Sequence, residues 1–139
     1  MYEHVLVATD GSEHASKAAT HALDVAATYG ATLHVLYVVE TRTAYDNAIH
    51  RPEEIRENLE QIGEEALGEI QRRAEERDIE IVRIMEEGVP AERILEYIKT
   101  MNIDFVFLGE RGHSVFKTVL LGSTAEHVLY ETDVPVALV

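Results

Sequence analysis

The sequence predicts an α/β fold, a five-stranded parallel sheet with helices on both faces. Three observations predict it. Short apolar runs alternate with helical stripes along the chain in the order β-α-β-α-β-α-β-α-β, the alternation that builds parallel sheets through crossover helices. The run Thr32–Val39 is nearly continuous in hydrophobic residues, as expected of a strand buried on both faces. The first and fourth strands each end in turn residues, Asp10-Gly11-Ser12 and Gly109-Glu110-Arg111-Gly112, at the strand ends where open parallel sheets hold ligands.

Taken in order, Val5–Thr9 is the first strand. Residues 13–29 carry Ala15, Ala18, Ala19, Ala22, Leu23, Val25 and Ala26 at helical spacing, and Gly30 follows as a C-cap. Thr32–Val39 is the second strand and 40–52 a loop. Pro52 suits a first helical turn, Glu53 and Glu54 complement its dipole, and Ile55, Leu59, Ile62, Ala66, Leu67 and Ile70 mark one face of a helix over 53–77. Glu80–Met85 reads as a third strand, broken by Gly88 and Pro90, which start a helix running to about Met101. Asp104–Leu108 is a fourth strand, Gly109–Leu121 a loop, Gly122–Glu131 a short helix and Val134–Val139 a fifth strand. Neither an internal repeat nor a linker interrupts the pattern, so one domain over 1–139 is expected.

The composition narrows the function classes. A hydrophobic content of 46% supports a sizeable core, and no apolar run reaches the ~20 residues that span a bilayer. The opening Met1-Tyr2-Glu3-His4 has neither a basic region nor a cleavage site, so a cytoplasmic protein is expected. The chain has no cysteine, which removes disulfide, thiolate and cysteine-metal chemistry. With 26 Asp+Glu against 12 Lys+Arg the net charge is −14, which disfavours nucleic acid and anionic membranes as partners. Only Lys17, Lys99 and Lys117 are lysines. That balance suits a halophile's high-salt cytoplasm, where screening removes self-repulsion, and an ordinary acidic protein equally.

The chemistry-bearing pattern is Gly109-x2-Gly112-x9-Gly122-Ser123. Glycines let backbone N–H groups approach an oxyanion, successive N–H groups form a concave nest, and a helix N-terminus adds unpaired donors at the positive end of its dipole. Ser123 and Thr124 add hydroxyls, and no cationic side chain is required. The same residues have a plainer reading: Ser123 with Glu126 matches a capping box, and the glycines make a turn. Arg111, the basic residue between Gly109 and Gly112, could touch phosphate or face solvent, as could Lys117. Asp10 could be a metal ligand, a ribose acceptor or a turn-forming residue. His4, His14, His21, His34, His50, His113 and His127 show no zinc spacing; most are expected at the surface or at strand ends, and His113, next to Gly112, is a second candidate phosphate contact. No nucleophile elbow, Walker A lysine or Gly-x-Gly-x-x-Gly fingerprint occurs, so no catalytic residue is nominated; slow ATP hydrolysis or autophosphorylation is left without a named group.

Several segments together resemble the universal stress proteins of the UspA superfamily over essentially the whole chain: His4–Ser12, Leu36–Val39, Gly88-Val89-Pro90, Asp104–Gly109, the glycine pattern, and Val134–Val139. The ATP-binding branch of that family carries Gly-x2-Gly-x9-Gly-(Ser/Thr). The resemblance implies a Rossmann-like sheet of the adenine nucleotide alpha hydrolase-like kind, with strand order 3-2-1-4-5, and ATP with Mg²⁺ held through the phosphates. It places Asp10 near the nucleoside with Thr9 beside it, Val38 against adenine, and Gly109, Gly112, Gly122 and Ser123 around phosphate and ribose. It also implies a homodimer paired through the last strand, and an apolar edge strand such as Val134–Val139 invites pairing. Glu110 departs from the family, which usually has a small hydroxyl residue there. Aimed at a triphosphate its carboxylate would repel the ligand and favour AMP or ADP; turned to solvent, paired with Arg111 or holding Mg²⁺ it would not.

Overall fold

The computed structural model describes residues 1–40, 52–111 and 121–139. The elements follow the expected alternation: β1 His4–Thr9, α1 Glu13–Tyr29, β2 Thr32–Glu40, α2 Pro52–Glu76, β3 Ile81–Gly88, α3 Pro90–Thr100, β4 Phe105–Leu108, α4 Ser123–Glu131 and β5 Val136–Leu138. All strands pair in parallel in the order β3-β2-β1-β4-β5, as the resemblance implied.

Alternation along the strands divides the core into two layers. Val5, Val7, Leu33, Val35, Tyr37 and Phe107 point to one face, where α1 and α2 cover them with Ala18, Ala22, Leu23, Leu67 and Ile70. Leu6, Leu36, Val106 and Leu108 point to the other, where α3 and α4 bring Ala91, Ile94, Ile98, Ala125 and Val128. The buried side of α1 is almost all alanine, so its axis lies close to the sheet. Ser12 caps α1 by accepting a hydrogen bond from Ala15 N at 3.2 Å, and Gly30 closes it in the left-handed conformation, φ 65°.

Two strand boundaries differ from the sequence expectation by more than one residue. β3 does not stop at Met85; it runs to Gly88, because β2 extends beside it and Tyr37–Glu40 pair with Met85–Gly88. Tertiary pairing outweighs the local break. β5 begins at Val136, not Val134. Pro135 has no N–H to give, and Val134 N donates instead to the Thr132 hydroxyl at 3.2 Å. Among the described residues, no helix is long and apolar enough to cross a membrane.

Candidate functional site

The strand order reverses between β1 and β4. From β1 the chain crosses to β2 on one side, and β4 lies on the other. At the carboxyl ends of these strands, where such reversals leave a crevice, the structure has a cleft of about 360 Å³. Thr9 and Asp10 enter it from the end of β1, Val38 and Glu40 from β2, Gly109 and Arg111 from the end of β4, and Gly122, Ser123 and Thr124 from the start of α4. Every candidate residue that is described therefore lines one cavity, although up to 115 positions separate them in sequence. Gly112, His113 and Lys117, like the 41–51 segment, lie outside the described residues.

The β1–α1 turn is built from its own polar groups. The Thr9 hydroxyl accepts from Gly11 N at 3.1 Å, and Asp10 Oδ1 accepts from Ser12 N at 2.9 Å. The turn-forming reading of Asp10 is thus realised, and the same residue still faces the cleft. Beside it, burial pushes the Tyr37 phenol above its usual pKa, and the Asp10 carboxylate pushes it further the same way.

At α4 the capping-box reading fails. The N-cap is Gly122, with no side-chain cap, and Ser123 is already the first helical residue. The first intrahelical bond runs from Glu126 N to Gly122 O at 2.9 Å. The N–H groups of Ser123, Thr124 and Ala125 thus precede the helical ladder, and all three residues line the cleft. The Gly122 N–H is spent differently: it donates to Glu110 O at 2.8 Å and ties the two ends of the glycine segment together. Glu110 N in turn donates to Val139 O at 2.8 Å. The Glu110 backbone is therefore a structural bracket. Its side chain is exposed and does not line the cleft, whereas Arg111 does.

Gly109 has a packing reason as well as a position in the cleft. A Cβ built there would stand 3.0 Å from Ala15 N, His14 C and His14 Cβ in the first turn of α1. The alanine-faced helix approaches so closely that a side chain at 109 would have to push its first turn away by a few tenths of an ångström. The sequence reading missed Glu40 and the apolar walls Leu59 and Ile62 from α2 and Pro90 and Ile94 from α3. Leu59 and Ile62 were visible only as members of a helical stripe, which marks a face without saying what it meets. Among the described residues, no three His, Asp or Glu side chains gather as metal ligands.

A parallel sheet with helices on both faces and a crevice at its reversal point defines the class: a doubly wound, Rossmann-like α/β domain. Comparison with known proteins narrows the class. The sequence model of the universal stress protein family matches residues 1–139. Universal stress protein MJ0531 of Methanocaldococcus jannaschii is 34% identical over 140 residues, covering 100% of this chain and 82% of that protein. The solved structure of MJ0577, described as a hypothetical protein whose biochemical function was assigned from structure, superposes with a TM-score of 0.88 at 25% identity, over 100% of this chain and 96% of the other. A universal stress protein in complex with cAMP has the same fold, with a TM-score of 0.76 at 23% identity over 99% of this chain and 97% of that one. The chain belongs to the universal stress protein family.

Proposed function

We propose that the cleft binds an adenine nucleotide, with ATP the leading ligand, and that its occupancy is a regulatory state of this universal stress protein. The observation that carries the reading is the start of α4. Three N–H groups that precede the helical ladder, on Ser123, Thr124 and Ala125, sit at the positive end of the helix dipole, in the cleft that Gly109 and Gly122 also line. These supply the donors a phosphate chain needs without a cationic cluster, which suits a chain of net charge −14. Arg111, which also lines the cleft, adds a positive side chain. Asp10 and Glu40 offer carboxylates to the hydroxyls of a ribose, and Val38 offers an apolar edge to a base. Magnesium would be held through the phosphate oxygens. A partner that binds a universal stress protein relative, cAMP, is itself an adenine nucleotide.

The exposed Glu110 side chain supports this reading, because the residue that departs from the family pattern does not line the cleft. We also infer a homodimer through the Val134–Val139 segment. β5 is an edge of the sheet, and Tyr130 and Leu138 are exposed on the elements beside that edge, at 83% and 37%.

Titration calorimetry with Mg-ATP tests the binding reading. Saturable heat with a dissociation constant at or below the millimolar range is expected, and folded protein that gives no heat at millimolar ATP refutes it. Repeating the titration with ADP, AMP and cAMP ranks the phosphates. Mass spectrometry of small molecules released from purified, denatured protein gives an independent answer.

A further inference from the structure

The helix α2 is anchored unevenly. Its second half buries Leu67, Ile70 and Ala74 against the sheet. From Glu53 to Ile62, by contrast, no residue is buried. That first half still carries an apolar stripe, Ile55, Leu59 and Ile62, one turn apart. Leu59 reaches the core cluster only in part, and Ile62 remains 43% exposed. Besides these contacts, the first half is tied to the sheet by the ion pair of Arg56 with Glu87 on β3, an exposed pair of the kind that contributes little.

Two residues of the stripe border the cleft. Leu59 and Ile62 line the cleft, as do Val38 and the start of α4. Gly63 explains how they come to be there. A Cβ at that position would overlap the Tyr37 ring, so the glycine lets α2 settle onto β2 with Leu59 and Ile62, in the turn before it, lining the cleft. An apolar wall of this kind accepts the flat face of a purine and offers nothing to a phosphate.

We propose that Leu59 and Ile62 are the base-clamping wall of the site, and that a bound purine adds an apolar partner to the first half of α2 beyond those the described residues supply. This rests on the nucleotide reading above. Binding then does two things at once. It selects ligands that carry a base, and it fastens residues 53–62 to the sheet, turning occupancy into a change in the order of a helix whose outer face is otherwise solvated and charged.

The test uses the intact protein with three probes: Mg-ATP, adenosine and inorganic tripolyphosphate. Ile62→Ala keeps helix propensity and removes an exposed side chain, so the fold is retained. It is expected to weaken Mg-ATP and adenosine about tenfold while leaving tripolyphosphate unchanged, and Ile62→Leu is expected to restore most of the loss. In the wild type, hydrogen exchange of the amides of residues 56–62 should slow about tenfold with saturating Mg-ATP and not with tripolyphosphate. Equal Mg-ATP affinity in wild type and Ile62→Ala, or equal protection by tripolyphosphate and ATP, overturns the proposal while the nucleotide reading stands. Wild-type protein that binds neither ATP nor adenosine overturns both.

Discussion

At the amino end of the sheet the polar groups close on one another; at the carboxyl end they face a cavity. On the amino side, His34 is buried within β2, its Nδ1 lies 2.6 Å from the Tyr97 hydroxyl on α3, and its Nε2 lies 3.1 Å from Nδ1 of His4 on β1. Asp104 completes that end: its Oδ2 accepts from the backbone N–H groups of Glu3 and His4, both at 2.8 Å. On the carboxyl side, by contrast, the first N–H groups of α4, the Arg111 side chain and two apolar residues of α2 converge on about 360 Å³ of space. The same strands supply both ends. Both ends use polar groups to hold the fold, and the carboxyl end in addition turns the first residues of α4 and Arg111 toward a cleft.

Breaking the amino end should cost stability and spare binding. His34→Ala removes a buried ring and leaves the Tyr97 hydroxyl without its partner, so a loss of about 3 kcal/mol is expected in urea unfolding. Nucleotide affinity of the folded fraction should not change; a parallel loss of affinity would show that the two ends are coupled. The reverse experiment is Gly122→Val. The Gly122 backbone, φ −66° and ψ 149°, lies in the extended region that valine prefers, so the fold should survive with a modest loss from the poorer cap. The added branch stands at the cleft wall, and Mg-ATP affinity should fall about a hundredfold, or about 2.7 kcal/mol, by calorimetry. Unchanged affinity would place the phosphates elsewhere.

A pH series sharpens the same contrast. Burial holds the His34 pKa below its ordinary value; the charge of His4 pushes it down further, and Glu80 pushes it partly back up. A group depressed in the folded state favours folding above its unfolded pKa, and the unfolded chain takes the proton first as pH falls. The urea midpoint should therefore decline below about pH 6.5, the ordinary histidine value. His34→Gln, which keeps a polar partner for Tyr97 and cannot titrate there, should flatten that decline. Hydrogen bonds from the His4 and Glu3 backbones lower the Asp104 pKa against its partial burial, so its contribution disappears only at more acidic pH, below the usual carboxylate value near 3.9. The smallest effect is expected from Glu110→Ser. Because that side chain is exposed and off the cleft wall, Mg-ATP affinity should shift by less than about twofold at physiological salt. A large gain would mean that the carboxylate does reach the phosphates.

The elements were legible in the sequence because each carries a local signature: the alanine stripe and Gly30 of α1, the continuous apolar run of β2, Pro90 at the start of α3. The glycine pattern with Asp10 was legible as an anion-binding candidate, and the family resemblance is what suggested an adenine nucleotide for it. Other features were not. His34 reads in sequence like any strand histidine, and only the packing of α3 puts the Tyr97 hydroxyl against it. The Ser123 and Glu126 pair has the letters of a capping box, yet the chain enters α4 one residue earlier, because Gly122 N is held by Glu110 O.

The division follows from the range of the forces involved. Periodicity, caps and turn residues act within a few positions, so the sequence by itself determined the order of strands and helices, their apolar faces and the glycine-rich strand ends. The strand order found in the structure, the cleft and its walls depend on contacts between segments far apart in the chain. Gly109 against the first turn of α1, Gly63 beneath the Tyr37 ring, and Leu59 and Ile62 over the crevice are such contacts. Only the tertiary structure decided them, since close packing has to be satisfied by all the elements at once.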